Sequence, residues 1–475
     1  MRPKTPALLG AVLATLTGLL PVDAQTRADP APIYARIDVG ALGPGPLGEV
    51  RETPGLSWWV ELDDRLLVLA GEPALASLER RLAVERLAVE PRPSRLYLLR
   101  GARREDLAAM DVDVLAAGGR YAVVQARRGG RPALPAHLAP GAAHLTLLPF
   151  EPDLVLARQQ ANRAPPTKAL APAAAELIDE VDAQRWFDDV VALASYNRYT
   201  HGPEIDAARD WLVLQLESLP GLTVATESFQ VGGTTAWNVI ATLRGSLHGE
   251  DLFIVGGHYD ATSEAPQTAA PGAEDNASGC AGVLEMARIF TAHPPPATIL
   301  FICYSGEEQG LHGSTDHASE LVDLGLDDQV RAVLIMDMVG FTTDADLDCL
   351  LETSSANAAL ADAFAAAAEL TELRIVISFN PFGSDHVPYL DRGMPALLAI
   401  ENDWNQYPCY HRTCDLPANL TLAMGREILE MNVVAMSQLT GFGMPIFADG
   451  FETGDTSAWA ETYVGPEPFL AGRDR

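Results

Sequence analysis

The sequence predicts an α/β fold: a mixed, mostly parallel central sheet with helices on both faces, preceded by a small α+β domain. Three observations predict it. Apolar runs of strand length recur at 252–255, 298–303, 332–336 and 396–400, and a run of four to eight apolar residues bounded by turn residues is the mark of a buried strand. Helix-like segments separate or flank these runs, at 178–196, 204–219, 280–290, 356–370 and 422–439, and alternation of the two is the pattern of a sheet covered by helices. The first three runs lead within three residues into glycines or into His, Asp and Glu, which places polar chemistry beyond the carboxyl ends of strands.

The chain is 475 residues long with 48% hydrophobic content, more than one typical domain needs and enough for a sizeable core. Residues 1–24 have the form of a secretory signal: Arg2 and Lys4 precede the apolar run 7–20, and Val22-Asp23-Ala24 offers a small residue at the cut. An exported protein, secreted or periplasmic, is therefore expected, with no stable membrane insertion because no later run is long enough to span a bilayer. Residues 25–156 read as a propeptide-like or accessory α+β domain. Up to about residue 56 it is a Pro-, Gly- and Ala-rich leader without periodicity, followed by strand-like 58–62, 65–70, 95–99 and 121–125 and helix-like 74–81. It carries no cluster of ligand-type residues. Residues 157–174, with Ala164-Pro165-Pro166 and Ala171-Pro172, read as an exposed linker.

The segment 175–442 is the second domain, adding strand-like 223–230, 236–244 and 373–378 to the elements above. Residues 443–475 form a short acidic and aromatic tail, read as a terminus outside the fold, with sorting or attachment as its functional alternative. No repeat of solenoid period is present.

Charge narrows the partners. Lys+Arg 33 against Asp+Glu 64 gives a formal charge of −31, which argues against nucleic acid or an anionic membrane surface and for solubility. A monomer is expected. Five cysteines are an odd number for an oxidising compartment, so at least one stays free. Cys409 and Cys414 bracket His411 and could close a small ring, whereas Cys280 and Cys303 lie in apolar stretches suited to buried thiols.

The chemistry concentrates in five side chains. His258 follows a strand and Gly256-Gly257; Asp275 lies in the turn Pro271-Gly272-Ala273-Glu274-Asp275-Asn276; Glu308 follows Gly306-Glu307; Asp337 ends the run 332–336; His411 lies in the loop 407–413. Imidazole nitrogen and carboxylate oxygen are zinc ligands, and two ions in one site need a group with two donor oxygens to bridge them. Singly, a His-x-Asp or a Glu-Glu pair is more often a surface feature or a satisfied core group. Five such residues near the strand ends of one α/β domain point to a metal site.

Residues 178–439 resemble the co-catalytic di-zinc aminopeptidases of metallopeptidase family twenty-eight, which includes bacterial leucyl aminopeptidase and aminopeptidase Y. The matching text is Gly256-Gly257-His258-Tyr259-Asp260, Pro271 to Gly279, Gly306-Glu307-Glu308 to Ser314, Met336-Asp337-Met338, Ser384-Asp385-His386 and Tyr410-His411. The resemblance implies the zinc exopeptidase fold and two Zn²⁺ per chain. Asp275 would bridge, with His258 and Asp337 completing one site and Glu308 and His411 the other. It implies Glu307 as the general base toward the attacking water, and Asp260 behind His258, orienting its ring. The implied substrate is the N-terminus of a peptide or protein. Met338 and Tyr410, next to ligands, are candidate pocket walls, with ordinary core packing the more frequent reading, and Ser384, Asp385 and His386 would be structural or substrate-lining. The chain departs from the pattern at Phe379-Asn380-Pro381-Phe382-Gly383, where bacterial leucyl aminopeptidases carry a tyrosine and often a cysteine pair. Another zinc exopeptidase, a one-zinc glutaminyl cyclase, or a non-catalytic binding domain on the same fold are the competing readings.

Overall fold

A computed structural model describes residues 31–134, 145–162 and 171–442. The expected signal at 1–24 and the tail at 443–475 lie outside the described residues. The N-terminal region contributes strands β1 (Ile33–Asp38), β2 (Leu56–Asp63), β3 (Arg65–Ala70), β4 (Val84–Arg86), β5 (Leu96–Arg100), β6 (Val112–Gly118), β7 (Tyr121–Ala126), β8 (Thr146–Pro149) and β9 (Leu154–Gln159), with helices α1 (Pro44–Arg51), α2 (Glu72–Leu78) and α3 (Arg104–Ala109). Two expectations change here. Residues 33–51, read as part of a leader without periodicity, hold β1 and α1: β1 is short but pairs with β3 on one side and β4 on the other, and that pairing supplies the order its sequence does not advertise. The start of the expected linker, 157–159, is the end of β9, whose Leu156 and Ala157 are buried.

After α4 (Pro172–Ala175), helices α5 (Ala183–Ala194) and α6 (Ile205–Glu217) precede strands β10 (Leu222–Val231), β11 (Thr234–Leu243) and β12 (His248–His258). Next come α7 (Ser278–Ala292), β13 (Ala297–Tyr304), α8 (His312–Asp323), β14 (Val330–Met336), β15 (Asp348–Glu352), α9 (Ala358–Ala368), β16 (Arg374–Ser378), α10 (Val387–Leu390), β17 (Ala396–Glu401) and α11 (Leu422–Leu439). Local chemistry marks several ends. Asp182 caps α5 by accepting from the Gln184 and Arg185 amides, and Thr421 caps α11 through Met424.

The strands order as β10-β11-β13-β12-β14-β17-β15-β16-β9-β2-β3-β1-β4 in one thirteen-stranded sheet, with β6-β7-β5-β8 in a second sheet of four. The neighbours β13, β12, β14 and β17 run parallel, and β15 runs parallel to β16. Antiparallel pairing enters at the β10–β11–β13 edge, at β17–β15 and through most of the N-terminal strands. The parallel block is therefore the centre of a mixed sheet. One core packs α5, α7 and α11 on one face, around Trp186, Phe290, Phe301, Leu334 and Leu429. The other face buries Ile254, Tyr304, Tyr389, Leu398 and Leu350, and this core continues into Trp58, Leu115, Tyr121 and Val123 of the N-terminal region.

Because β12, β13, β14 and β17 are parallel, their carboxyl ends share one edge. His258 pairs in register with Tyr304, Gly256 with Ile335 and Met336 with Ala399, so His258, the segment after Tyr304 and Asp337 emerge side by side. Gly257 is needed for this: a Cβ there would come 2.9 Å from the Met336 carbonyl and 3.1 Å from the Gly279 backbone.

Candidate metal centre

Five residues scattered over more than 150 positions meet at that edge. The ligand atoms of His258, Asp275 and Asp337 lie within 4.8 Å of one another, and so do those of Asp275, Glu308 and His411. His258 Nε2 is 3.3 Å from Asp275 Oδ1 and 3.5 Å from Asp337 Oδ1; His411 Nε2 is 3.1 Å from Asp275 Oδ2 and 2.9 Å from Glu308 Oε2. Asp275 thus turns one oxygen to each set. All are sequestered, with side-chain exposure of 1% for His258, 6% for Asp275, 10% for Asp337 and 1% for Glu308; only His411, at the rim, keeps 24%.

Each ligand is positioned by the local fold. The Asp275 turn hangs on Asp415, whose two oxygens accept the Glu274 and Asp275 amides at 2.9 and 3.0 Å, and on Asn276, which donates to the Met336 carbonyl at 2.9 Å. Arg198 is fully buried and donates to the carbonyls of Tyr259, Leu193, Pro271 and Gly272, tying the end of β12 to the turn that carries Asp275. Burial lowers its pKa to about 10, against the pull of nearby acidic groups including Asp415 and Asp260. Ser384 donates to Asp337 Oδ2 at 2.7 Å. His411 sits inside the ring closed by a Cys409–Cys414 disulfide, at φ +54°, with the Tyr410 ring stacked 3.8 Å above its own. Cys280, Cys303 and Cys349 are free and buried.

Asp260 differs from the expected arrangement. The oxygen within hydrogen-bond reach of His258 Nδ1 is the Asp260 main-chain carbonyl, at 3.1 Å, whereas its carboxylate is 3.7 Å away. That carboxylate accepts the Thr200 hydroxyl at 2.9 Å and the amides of Glu307 and Glu308 at 3.2 and 3.3 Å. Residue 260 orients the ring with its backbone and fixes the two glutamates with its side chain. Glu307 belongs to neither ligand set; its Oε2 is 4.0 Å from His258 Nε2 and its side chain is 3% exposed.

The electrostatics are those of a site built around positive charge. Burial opposes ionised His258, yet the carboxylates of Glu307, Asp260, Asp275 and Asp337 overcome it and hold the imidazole well above its usual range. Burial likewise opposes ionised His411, and Glu308 and Asp275 push it up to about 10. Asp275 is driven the other way: burial favours its neutral form, but both histidines hold it far below the ordinary carboxylate range. Burial raises Glu307 well above that range, with Glu308, Asp385 and Asp337 adding to it. Burial and Asp275 push Glu308 up to about 7, against His411. Metal ions fit this donor set. Among the described residues, His258 Nε2, Asp275 Oδ2, Asp337 Oδ1 and both oxygens of Glu308 are buried with no hydrogen-bond partner, and buried groups of this kind are paired or bind cations. His nitrogen with carboxylate oxygen, three protein ligands per ion, is the composition of catalytic zinc sites.

Sequence reasoning did not single out Asp415, Arg198, Thr200 or Arg120. The first three act on backbone groups or on another carboxylate, and no spacing announces that. Arg120, from the turn between β6 and β7, lines the cavity at the centre together with Asp275, Glu307, Asp337, Met338, Gly383, Ile400, Trp404 and Tyr410. Met338 and Tyr410 line this cavity and also pack with the core, Met338 within it and Tyr410 against it. Of the other expected lining residues, Ser384 holds a ligand, and His386 faces Glu352 at 3.5 Å.

Two three-ligand sets that could each hold a metal ion thus share one carboxylate at the carboxyl edge of an α/β sheet. The model of peptidase family M28 matches residues 238–436. A probable zinc metalloprotease of Pyrenophora tritici-repentis is 36% identical over 166 residues, covering 32% of this chain and 34% of the relative. A probable aminopeptidase of Saccharomyces cerevisiae is 29% identical over 245 residues, covering 48% of this chain and 65% of the relative. The alignments span about a third of the length of the first of these curated relatives. The fold matches the Legionella pneumophila LapA aminopeptidase with a TM-score of 0.51 at 17% identity, over 73% of this chain and 98% of that one. Legionella pneumophila LapB gives 0.51 at 16%, over 73% and 99%.

Proposed function

We propose that this chain is an exported zinc metallo-aminopeptidase that hydrolyses the N-terminal residue from peptides. The observation that carries the reading is Asp275 lying between two complete ligand sets with Glu307 beside them and in neither. His258 and Asp337 would hold one zinc, Glu308 and His411 the other, with Asp275 shared. Two zinc ions held there would polarise the scissile carbonyl, acidify a water and stabilise the tetrahedral oxyanion. Glu307 is the general base: it takes a proton from the attacking water and returns it to the leaving amine, and its burial keeps that proton from bulk solvent. Asp260 sets the glutamate's reach by gripping its amide. The substrate's free α-amine is an ammonium donor suited to a cluster so rich in carboxylate, which favours peptide N-termini over blocked chains.

Export is supported by the Cys409–Cys414 disulfide, a bond that persists in oxidising compartments; among the described residues no helix is long and apolar enough to cross a membrane. The test joins metal analysis with a substrate panel. Two zinc ions per chain, with hydrolysis of leucyl and alanyl amides and none of their N-acetylated counterparts, is the expected result. One zinc, with ammonia released from N-terminal glutaminyl peptides, would replace the reading by a cyclase, and stoichiometric zinc without turnover of any amide by a binding domain.

A further inference from the structure

The cavity beside Glu307 is ≈ 20 Å³, room for about one water. It touches Asp275, Asp337 and Glu307 at once, so on the aminopeptidase reading it is where water and scissile carbonyl meet. Among the described residues that line it, the one cation is Arg120, which stands outside the residues the family model matches, 238–436. Trp404 lines the same cavity, and its indole N–H is buried with no hydrogen-bond partner among the described residues.

We infer that Arg120 is a catalytic residue supplied by the N-terminal region: its guanidinium donates to the substrate's carbonyl oxygen as negative charge gathers there. The inference rests on the aminopeptidase reading and deepens it by one group. Arg120 sits at the tip of the β6–β7 hairpin, where Gly118 pairs with Tyr121. Gly119 takes φ +49°, a Cβ there would come 2.7 Å from Asn402 Oδ1, and Asn405 donates to the Gly119 carbonyl. The tip is thereby pinned to the segment after β17. The side chain is held as firmly, donating to Glu352 at 2.7 Å and to the Gly383 carbonyl at 2.9 Å, with its guanidinium carbon 4.0 Å from the centre of the Phe382 ring. A guanidinium carries more N–H groups than these two acceptors take. Donors fixed in advance in a site closed to water need no rearrangement when charge develops, which is what makes them effective. As the water oxygen bonds to the carbonyl carbon, its proton passes to Glu307 and the π pair moves onto the carbonyl oxygen, where the N–H groups of Arg120 and Trp404 meet it. The pair then returns, the C–N bond breaks, and Glu307 gives the proton to the leaving amine. An acidic first side chain would also suit a guanidinium, but a space of one water beside three carboxylates holds an oxygen and not a side-chain carboxylate.

The test compares the full zinc-loaded chain with Arg120→Lys, which keeps a cation beside Glu352 and loses the planar fork, and with Trp404→Phe. Arg120→Met alone would leave Glu352 buried and unpaired, so it is made together with Glu352→Gln and read against Glu352→Gln by itself. Hydrolysis of alanyl and glutamyl amides is followed, with calorimetric binding of the phosphonate analogue of alanine, which is tetrahedral and charged on oxygen, and of alaninamide, whose carbonyl is planar. Removing one such donor typically costs about 10²–10³-fold in kcat, and the Arg120 variants are expected to lose that much on the alanyl amide with KM little changed. Affinity for the phosphonate should fall in proportion to kcat while alaninamide binds as it does to the native chain, and Trp404→Phe should show the same pattern to a smaller extent. A raised KM at native kcat, a loss confined to the glutamyl amide, or faster hydrolysis by the variants overturns the inference, and so does a fully active processed form that begins after Tyr121. If the native chain cleaves no amide, the aminopeptidase reading fails by itself: phosphonate affinity that still falls in the Arg120 variants upholds the contact with a charged oxygen, and affinity that does not fall sinks both.

Discussion

The proposed division of labour between Glu307 and Glu308, adjacent in sequence, rests on what each side chain faces. Glu308 Oε2 lies 2.9 Å from His411 in a ligand set, and Glu307 projects toward the cavity. Glu307→Ala is therefore expected to lower kcat by about 10²–10⁴-fold while the protein still carries two zinc ions by elemental analysis; loss of metal along with activity would make Glu307 a ligand. Ser384 touches no metal position but holds Asp337 Oδ2. Removing such a supporting bond typically costs about 10–100-fold in metal affinity, so Ser384→Ala should release one zinc of the two at lower chelator concentration; simultaneous release of both ions would speak against its acting through Asp337. That the five ligand-type residues and Glu307 gather in one place was legible because a motif with fixed neighbours surrounds each. Asp415 and Arg198 were not, because a carboxylate accepting two amides and a guanidinium collecting four carbonyls leave no periodic trace in sequence.

Among elements, the long helices and the apolar strands read cleanly, α11 over the whole of Leu422–Leu439, because burial on one or both faces writes itself as periodicity. Several short or polar elements did not, α8 and β15 among them. Helix α8 is polar-rich and buries little besides Ala318 and Leu321 among its apolar residues, so its pattern is faint. Strand β15 is a short segment with an acidic residue at each end, Asp348 and Glu352, and exists through pairing with β16 and β17. The seam between β10 and α8 carries its own pH dependence. Glu227 on β10 is pushed up to about 9 by burial and by its hydrogen bond with Glu320 on α8, against the donation of Asn238 at 3.0 Å. A carboxyl raised in the fold favours its protonated form there, so its contribution to stability declines as pH rises through the ordinary carboxylate range toward 9. Glu227→Gln should leave Tm unchanged near pH 5 and raise it near pH 9, by thermal unfolding at both values. A Tm gain that is equal at the two pH values would show that the shared proton is not the cause.

At the scale of the whole molecule, a sheet of thirteen strands gathers a negative cluster at the carboxyl edge of its parallel block, and the N-terminal region, which its own sequence marked only as a small α+β domain without ligands, brings Arg120 to the cavity there. A lone arginine in a strand turn has no spacing to signal that it reaches a candidate metal centre whose residues begin 138 positions further on, at His258. The concentration of buried carboxylate makes metal loading and global stability one quantity. In the metal-free protein His411 is held up to about 10. A histidine raised in the fold stabilises below its unfolded pKa, and that contribution is lost as pH climbs through the folded value. Glu308, pushed up to about 7, loses its share from the ordinary carboxylate range up to that point. Metal-free protein thus weakens from about pH 6 to 9, while zinc, which needs the same nitrogens and oxygens without protons, binds more tightly over that interval. Each tenfold excess of zinc over its Kd adds about 1.4 kcal/mol per site. The Tm difference between zinc-loaded and chelator-stripped protein should widen steadily from pH 6 to 9 in scanning calorimetry. A gap that stays constant or narrows would mean that the protons on His411 and Glu308 do not stand where zinc binds.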